Sequence, residues 1–129
     1  MDEESAFWTL CTICELLNPE NYWQNMLGTL VDQEVFDELL RVEMPSLSSH
    51  FDSLGLPVGM LTQSWFLCLF IGHVRMQLSL QVLDSYFFYG MKYLFAFALA
   101  VFRHMEPTLL QQTDVSQIPP LFGKPMRLP

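Results

Sequence analysis

Basic residues are few in this 129-residue chain: Lys and Arg number 6 against 14 Asp and Glu, a net charge of −8. The imbalance lies in residues 1–52, which carry 11 acidic side chains and one Arg, a net charge of −10, whereas residues 53–129 carry +2. An acidic surface repels phosphate backbones, and the chain has no basic cluster of the kind that binds anionic lipid. We therefore expect no nucleic-acid partner.

The chain also lacks a secretory start and a long apolar run. Its opening, MDEESAFW, is acidic, whereas a signal peptide has a basic start followed by an apolar stretch. Three cysteines, an odd number, favour a reducing, cytoplasmic setting. The best apolar window, residues 86–102, is 17 residues long and contains Gly90 and Lys92. A bilayer span needs about 20 apolar residues, so we expect buried core helices and no transmembrane span.

What the chain has is apolar and aromatic side chains: 51% of its residues are hydrophobic and 11 are Phe. That excludes a disordered chain, and the length suits one domain with a sizeable core. Apolar residues recur at helical spacing, for example at Phe7, Leu10, Cys11, Cys14 and Leu17. The pattern predicts an all-α unit of six or seven short helices.

Several helix ends can be predicted from single residues. Pro45 can begin a helix that Gly55 ends. Thr29 with Asp32 resembles a capping arrangement, and Thr62 is a plausible N-cap for a helix that runs through Ile71.

Two segments are harder to assign. LSLQVL (78–83) alternates like a strand, but no second strand exists to pair with it, so we interpret it as helix. Residues 107–129 contain five prolines, and we expect an ordered turn or two followed by a loose tail.

Candidate chemistry is sparse. Cys11 and Cys14 form a C-x-x-C that could be a redox pair or half a zinc site, but it lies mid-helix on the apolar stripe, which favours core packing. The three histidines show no paired spacing. Asp84 lies in the apolar stretch LQVLDSYFF, so we expect it to cap a helix or to pair with Arg75 or Arg103. We expect no metal, no cofactor and no catalytic residue.

Five segments, in this order, resemble the C-terminal half of a TBC domain, the domain of Rab GTPase-activating proteins: EESAFWTLCTICELL, YWQNMLGTLVDQEVFDELL, MPSLSSHFDSLG, SWFLCLF and LQVLDSYFFYGMKYLFAFALAVF. The resemblance runs from about Glu3 to Phe102, within a partial domain of residues 1–106. It implies an all-helical fold, and it implies that residues 65–90 are two core helices and their connector. The signature positions, interpreted as structural, are Ala6, Phe7, Trp8, Trp65, Phe66, Phe70, Asp84 and Gly90.

The resemblance also implies what to look for in catalysis. The family uses an arginine in I-x-x-D-x-x-R, which neutralises charge on the phosphates, and a glutamine in Y-x-Q, which orients the attacking water. No I-x-x-D-x-x-R occurs in the 129 residues. Tyr22-Trp23-Gln24 fits Y-x-Q, but it follows the AFW helix, whereas the family's motif precedes it. Gln24 is therefore not assigned as a finger. Gln81, where the family usually has arginine, and His73-Val74-Arg75, where a proline is common, also depart from the pattern.

The expected function is that of a Rab GTPase-activating protein family member or fragment. The implied partner is a Rab GTPase and the implied role is regulation in membrane trafficking, in the cytoplasm or at the periphery of endomembranes. Without either finger motif, the chain alone is expected to be catalytically incompetent. An apolar face left by the half-domain is expected to favour self-association. The alternatives are a small membrane-associated helical protein or a helical interaction module without a GTPase link.

Overall fold

The computed structural model describes residues 1–18, 22–123, 125, 126 and 128. Over these residues the chain is all-helical and contains no strand, which confirms the predicted fold class. The α-helices are α1 (Glu3–Thr12), α2 (Leu27–Glu43), α3 (Pro45–Leu54), α4 (Gly59–Leu67), α5 (Met76–Tyr89) and α6 (Met91–Leu109). A π-helical turn (Ile13–Leu17) follows α1, and two 3₁₀ turns (Val115–Gln117 and Pro119–Phe122) follow α6. LSLQVL lies within α5 and is helix, as expected.

An aromatic cluster forms the centre of the molecule. Phe36 of α2 lies 5.5 Å from Phe66 and 5.8 Å from Phe102, measured between ring centroids. Trp65 of α4 lies 5.3 Å from both Phe70 and Phe102. These five side chains are all 1% exposed or less. Aromatic pairs at this separation contribute about 0.5–1.5 kcal/mol each beyond their buried area, so these ring contacts help to hold α2, α4 and α6 together.

The bounds of α3 agree with the prediction. Pro45 occupies the first turn, where its missing N–H costs nothing. Gly55 follows the helix with a φ of 65°, in the left-handed region that glycine enters without steric cost. Leu47 and Phe51, four residues apart on one face of the helix, are buried.

The predicted N-caps at Thr29 and Thr62 are wrong. Both residues lie inside their helices, where each hydroxyl donates a hydrogen bond to a preceding carbonyl: Thr29 Oγ1 to Met26 O at 2.7 Å, and Thr62 Oγ1 to Val58 O at 3.2 Å. Both are fully buried. Back-bonding of this kind satisfies a buried hydroxyl within a helix; it does not supply the acceptor for a first-turn N–H that a cap supplies.

The helix after Thr62 also ends earlier than Ile71. α4 stops at Leu67, and the connector that follows holds two bulky residues, Leu69 and Phe70, at φ values of 50° and 63°. Left-handed backbone costs about 1–2 kcal/mol for each such residue. Both side chains are nonetheless 4% exposed or less, and full burial of Leu or Phe contributes about 1.5–3 kcal/mol each. Burial therefore outweighs the strain.

The segment after α6 packs on the core, which differs from the loose tail expected. α6 itself continues through Pro107 to Leu109. Ile118, Phe122 and Met126 are then buried, and the Met126 amide donates to the carbonyl of His73 at 2.7 Å. The expected turns are present as the two 3₁₀ turns. Positions 124, 127 and 129 of the predicted tail lie outside the described residues.

None of the helices in the described ranges has the length and apolar character that crossing a membrane requires.

Candidate functional site

Helix α1 presents apolar side chains that no other element among the described residues covers. Phe7, Trp8 and Leu10 are 58%, 60% and 58% exposed, and none of the residues of α1 is buried. The Phe7 and Trp8 rings meet edge to face with centroids 5.3 Å apart. We call Phe7, Trp8 and Leu10 the α1 apolar surface; Leu17, at the end of the π-helical turn, is 43% exposed.

This exposure corrects the prediction that the first apolar stripe packs into the core. Cys11 and Cys14 are only half-buried free thiols, and the core cluster begins at Ile13. The spacing of the stripe was read correctly as helical. It was wrongly assigned to the core, because the described part of this chain supplies no surface for it to pack against.

The π-helical turn that follows α1 connects this helix to α5. Asn18 Nδ2 donates to the carbonyl of Ile13 at 2.9 Å and to Tyr86 Oη at 3.1 Å. Both Asn18 and Ile13 are buried, and Tyr86 belongs to α5. The π-helical turn is therefore fixed to α5, while α1 projects from it.

The remaining signature positions divide between core and surface. Trp65, Phe66 and Phe70 are core residues. Gly90 separates α5 from α6 with a φ of 76°, and its N–H donates to Tyr86 O at 2.8 Å. Ala6 lies exposed on α1. That these residues are the family's structural signature stays a prediction.

The expected role of Asp84 is wrong. Asp84 is exposed, because its position on α5 faces away from the buried Val82 and Tyr86. It makes no ion pair with Arg75 or Arg103; Arg103 instead lies 4.0 Å from the Glu43 carboxylate and 3.4 Å from the Glu43 carbonyl oxygen. Apolar neighbours in sequence do not bury a residue on the outer face of a helix.

The turn before α2 is built around Tyr22. Tyr22 is 4% exposed, and its hydroxyl donates to Asp32 Oδ2 at 2.6 Å. Burial, reinforced by Asp32, raises the pKa of Tyr22 far above its ordinary value. Burial also raises the pKa of Asp32, and the hydrogen bond from Tyr22 opposes that rise. Gly28 allows this packing, because a Cβ there would collide with the Tyr22 ring.

Gln24 lies in the same turn and is exposed. Tyr22, the first residue of this Y-x-Q, is buried and hydrogen-bonded to Asp32, so it has a structural role.

An open groove of about 1020 Å³ runs between α2 and the loop joining α3 to α4. Its wall includes Arg41, whose Nε lies 3.0 Å from Asp37 and whose Nη1 lies 3.4 Å from Asp52. Both pairs are partly exposed and contribute little stability. With Glu34 and Glu38 also on the wall, the groove is net acidic and is a poor site for phosphate.

No group of three or more metal-ligating side chains comes together in the part of the chain that the structure describes. Cys68 is exposed and, like Cys11 and Cys14, free. The described residues thus expose apolar side chains on α1 and hold no metal-ligating cluster.

Comparison with known proteins gives a family. Residues 1–110 match the family described as the Rab-GTPase-TBC domain. The chain is 37% identical over 119 residues to TBC1 domain family member 2B of Mus musculus, and 36% identical over 118 residues to TBC1 domain family member 2A of Bos taurus. These matches cover 92% and 91% of this chain, but only 12% and 13% of the relatives.

The fold comparison agrees. The crystal structure of the Chlamydomonas flagellar RabGAP TBC domain superposes with a TM-score of 0.82 at 29% identity. The superposition covers 94% of this chain and 39% of the other. From its sequence and its fold alike, this chain belongs to the Rab-GTPase-TBC domain family and corresponds to part of a TBC domain.

Proposed function

We propose that this chain binds Rab GTPases as a regulatory module of cytoplasmic membrane trafficking, and that it does not by itself accelerate GTP hydrolysis. The family match over residues 1–110 supports the Rab partner. The absence of I-x-x-D-x-x-R from the 129 residues supports the lack of activity.

Activation of GTP hydrolysis depends on charge. A GTPase-activating protein must place a positive group against the phosphates in the transition state. Arg41 is paired with Asp37 and Asp52 in an acidic groove, and Arg103 lies 4.0 Å from the Glu43 carboxylate. The exposed Arg75 stands outside any I-x-x-D-x-x-R, as Arg41 and Arg103 do, so Gln24 has no arginine partner of the family's motif. These observations support the proposed lack of finger chemistry.

The test combines a binding and a rate measurement on the same purified protein. A panel of GTP-loaded Rabs is immobilised for binding, and phosphate release is followed in solution, with a TBC domain of demonstrated activity as the positive control. We expect binding to at least one Rab and hydrolysis at the intrinsic rate, because an arginine finger contributes about 10³–10⁵-fold.

Two outcomes would contradict the proposal. Acceleration above about tenfold that Gln24→Ala abolishes would make Gln24 a finger after all. Failure to bind any Rab in the panel would remove the partner.

A further inference from the structure

Helix α4 ends at a residue type that seldom ends a helix. Its C-cap is Cys68, and the next residue, Leu69, has a φ of 50°. The residue after a C-cap is often left-handed, but it is usually glycine, because a Cβ is unfavourable in that conformation. Gly72, further along the connector, also has a left-handed φ, of 80°. The sequence therefore offers α4 a second and less costly end, after Ile71.

Backbone hydrogen bonds connect the end of α4 to the segment after α6. The Met126 N–H donates to the His73 carbonyl at 2.7 Å, and the His73 N–H donates to the Phe70 carbonyl at 3.0 Å. The Phe70 N–H in turn donates to the Trp65 carbonyl at 2.9 Å. In an α-helix, Phe70 would instead donate to the carbonyl of Phe66, four residues back. The bond from Phe70 to Trp65 and a longer α4 therefore exclude each other.

Aromatic rings make a second connection between the same elements. We call residues 115–122 together with Met126 the strap. Its Phe122 ring lies 5.4 Å from the Trp65 ring, which lies 5.3 Å from the Phe70 ring, measured between centroids. Phe122 and Met126 belong to the same hydrophobic core as Phe70. The burial that compensates for the left-handed connector thus depends in part on the strap.

We propose that docking of the strap determines where α4 ends. With the strap docked, α4 ends at Leu67 and its connector to α5 is left-handed, as in the structure. With the strap released, the connector is helical through Ile71, and Gly72 ends the helix. Cys68 and Ile71 are exposed, so the two states present different surfaces to a partner. This inference concerns the conformations of the chain and does not require Rab binding.

The first test removes a single backbone donor. Met126→Pro in the full chain removes the N–H that donates to His73, since proline has none, whereas Met126→Leu keeps the N–H and conserves volume. The coupling constant between the amide and Hα protons of Phe70 reports its φ, and heteronuclear NOEs of residues 115–122 report release of the strap. Met126→Pro should mobilise the strap and change the Phe70 coupling from the left-handed value to the smaller helical value. Met126→Leu should change neither.

A second pair of variants removes a ring instead of a donor. Phe122→Leu takes away the ring that contacts Trp65, and Phe51→Leu takes away a ring of α3 that contacts Phe102. Both are conservative core changes, so both proteins should stay folded. Phe122→Leu should lower the Phe70 coupling part of the way towards the helical value, and Phe51→Leu should leave it unchanged.

Glycine at position 69 tests the strain directly. Leu69→Gly lowers the cost of the left-handed conformation. Met126→Pro in that background should therefore leave the Phe70 coupling at its left-handed value.

Three results would overturn the proposal. One is a Phe70 coupling that neither Met126→Pro nor Phe122→Leu changes, which would make the strap a source of stability only. Another is an equal change in Met126→Leu or in Phe51→Leu. The last is loss of the left-handed value in the double variant Leu69→Gly with Met126→Pro.

Discussion

At the scale of single residues, Gly28 is a glycine that close packing requires. A Cβ at this position would lie 2.9 Å from Tyr22 Cγ and closer still to the next ring carbon. The ring is buried and tied to Asp32 by its hydroxyl, so it has little room to move.

We predict that Gly28→Ala lowers the free energy of unfolding by about 1–3 kcal/mol, the usual cost of overpacking. The matched control is Gly59→Ala, also near the start of a helix. There the new Cβ would meet the Gln33 Oε1 at 2.7 Å, the far end of a flexible side chain that can swing aside. Urea unfolding of both variants measures the difference; equal losses would show that Tyr22 is not the obstacle.

Residue-level prediction from the sequence succeeded where burial follows from composition and failed where it depends on a neighbour. Trp65, Phe66 and Phe70 are core residues, as large apolar side chains in a continuous apolar run should be. Thr29 and Thr62 were assigned to caps because Thr is common there, although each back-bonds inside its helix. Asp84 was expected to be paired because its neighbours in sequence are apolar, although those neighbours point the other way.

At the scale of elements, α1 and its C-x-x-C are the instructive case. A helix of the right period was predicted and is present, but the period alone could not show that none of its residues is buried among the described residues. Cys11 and Cys14 are half-buried. They are therefore more exposed than the predicted core packing requires.

We predict that replacing Cys11 and Cys14 together with Ala lowers the free energy of unfolding by less than about 1 kcal/mol, because little buried volume is lost. Metal content and redox behaviour should not change, since the described residues supply no further ligands. Chemical denaturation and metal analysis of both proteins check this. Stoichiometric zinc in the wild type that the double variant lacks would show that these thiols bind metal.

The connector between α4 and α5 was beyond prediction for a different reason. Glycine often ends a helix, so a helix through Ile71 would be expected to stop at Gly72, which indeed has a φ of 80°. The chain had already left the helix at Leu67, in a left-handed turn made by Leu69 and Phe70. Sequence propensities disfavour that conformation for both residues, and only the burial of their side chains explains it.

At the scale of the whole molecule, the helical fold class could be predicted, because periodicity and the missing second strand both indicated it. The packing of residues 115–123 and of Met126 could not be predicted, since prolines suggest a loose chain whereas Ile118, Phe122 and Met126 are buried.

The exposed apolar side chains of α1 have a consequence for the chain in isolation. Together with the exposed Phe88 and Tyr89 at the end of α5, they present aromatic surface of the kind that drives association. We predict that the purified chain self-associates at micromolar concentration and binds a hydrophobic dye. Sedimentation and dye fluorescence measure this. A compact monomer that binds no dye and unfolds cooperatively would show that the 129 residues need no cover.

The family match ends at residue 110, but the core does not. The Phe122 ring lies 5.4 Å from Trp65 and 5.6 Å from Phe102, and closes one side of the aromatic cluster. A recombinant fragment that ends at residue 110 would lack Phe122 and would have a cavity beside the buried Trp65. We expect water to reach the indole there, with a red shift of its fluorescence, and proteases to cut the last turns of α6 first. Residues 115–122 lie outside the family match, yet Ile118 and Phe122 complete the hydrophobic core.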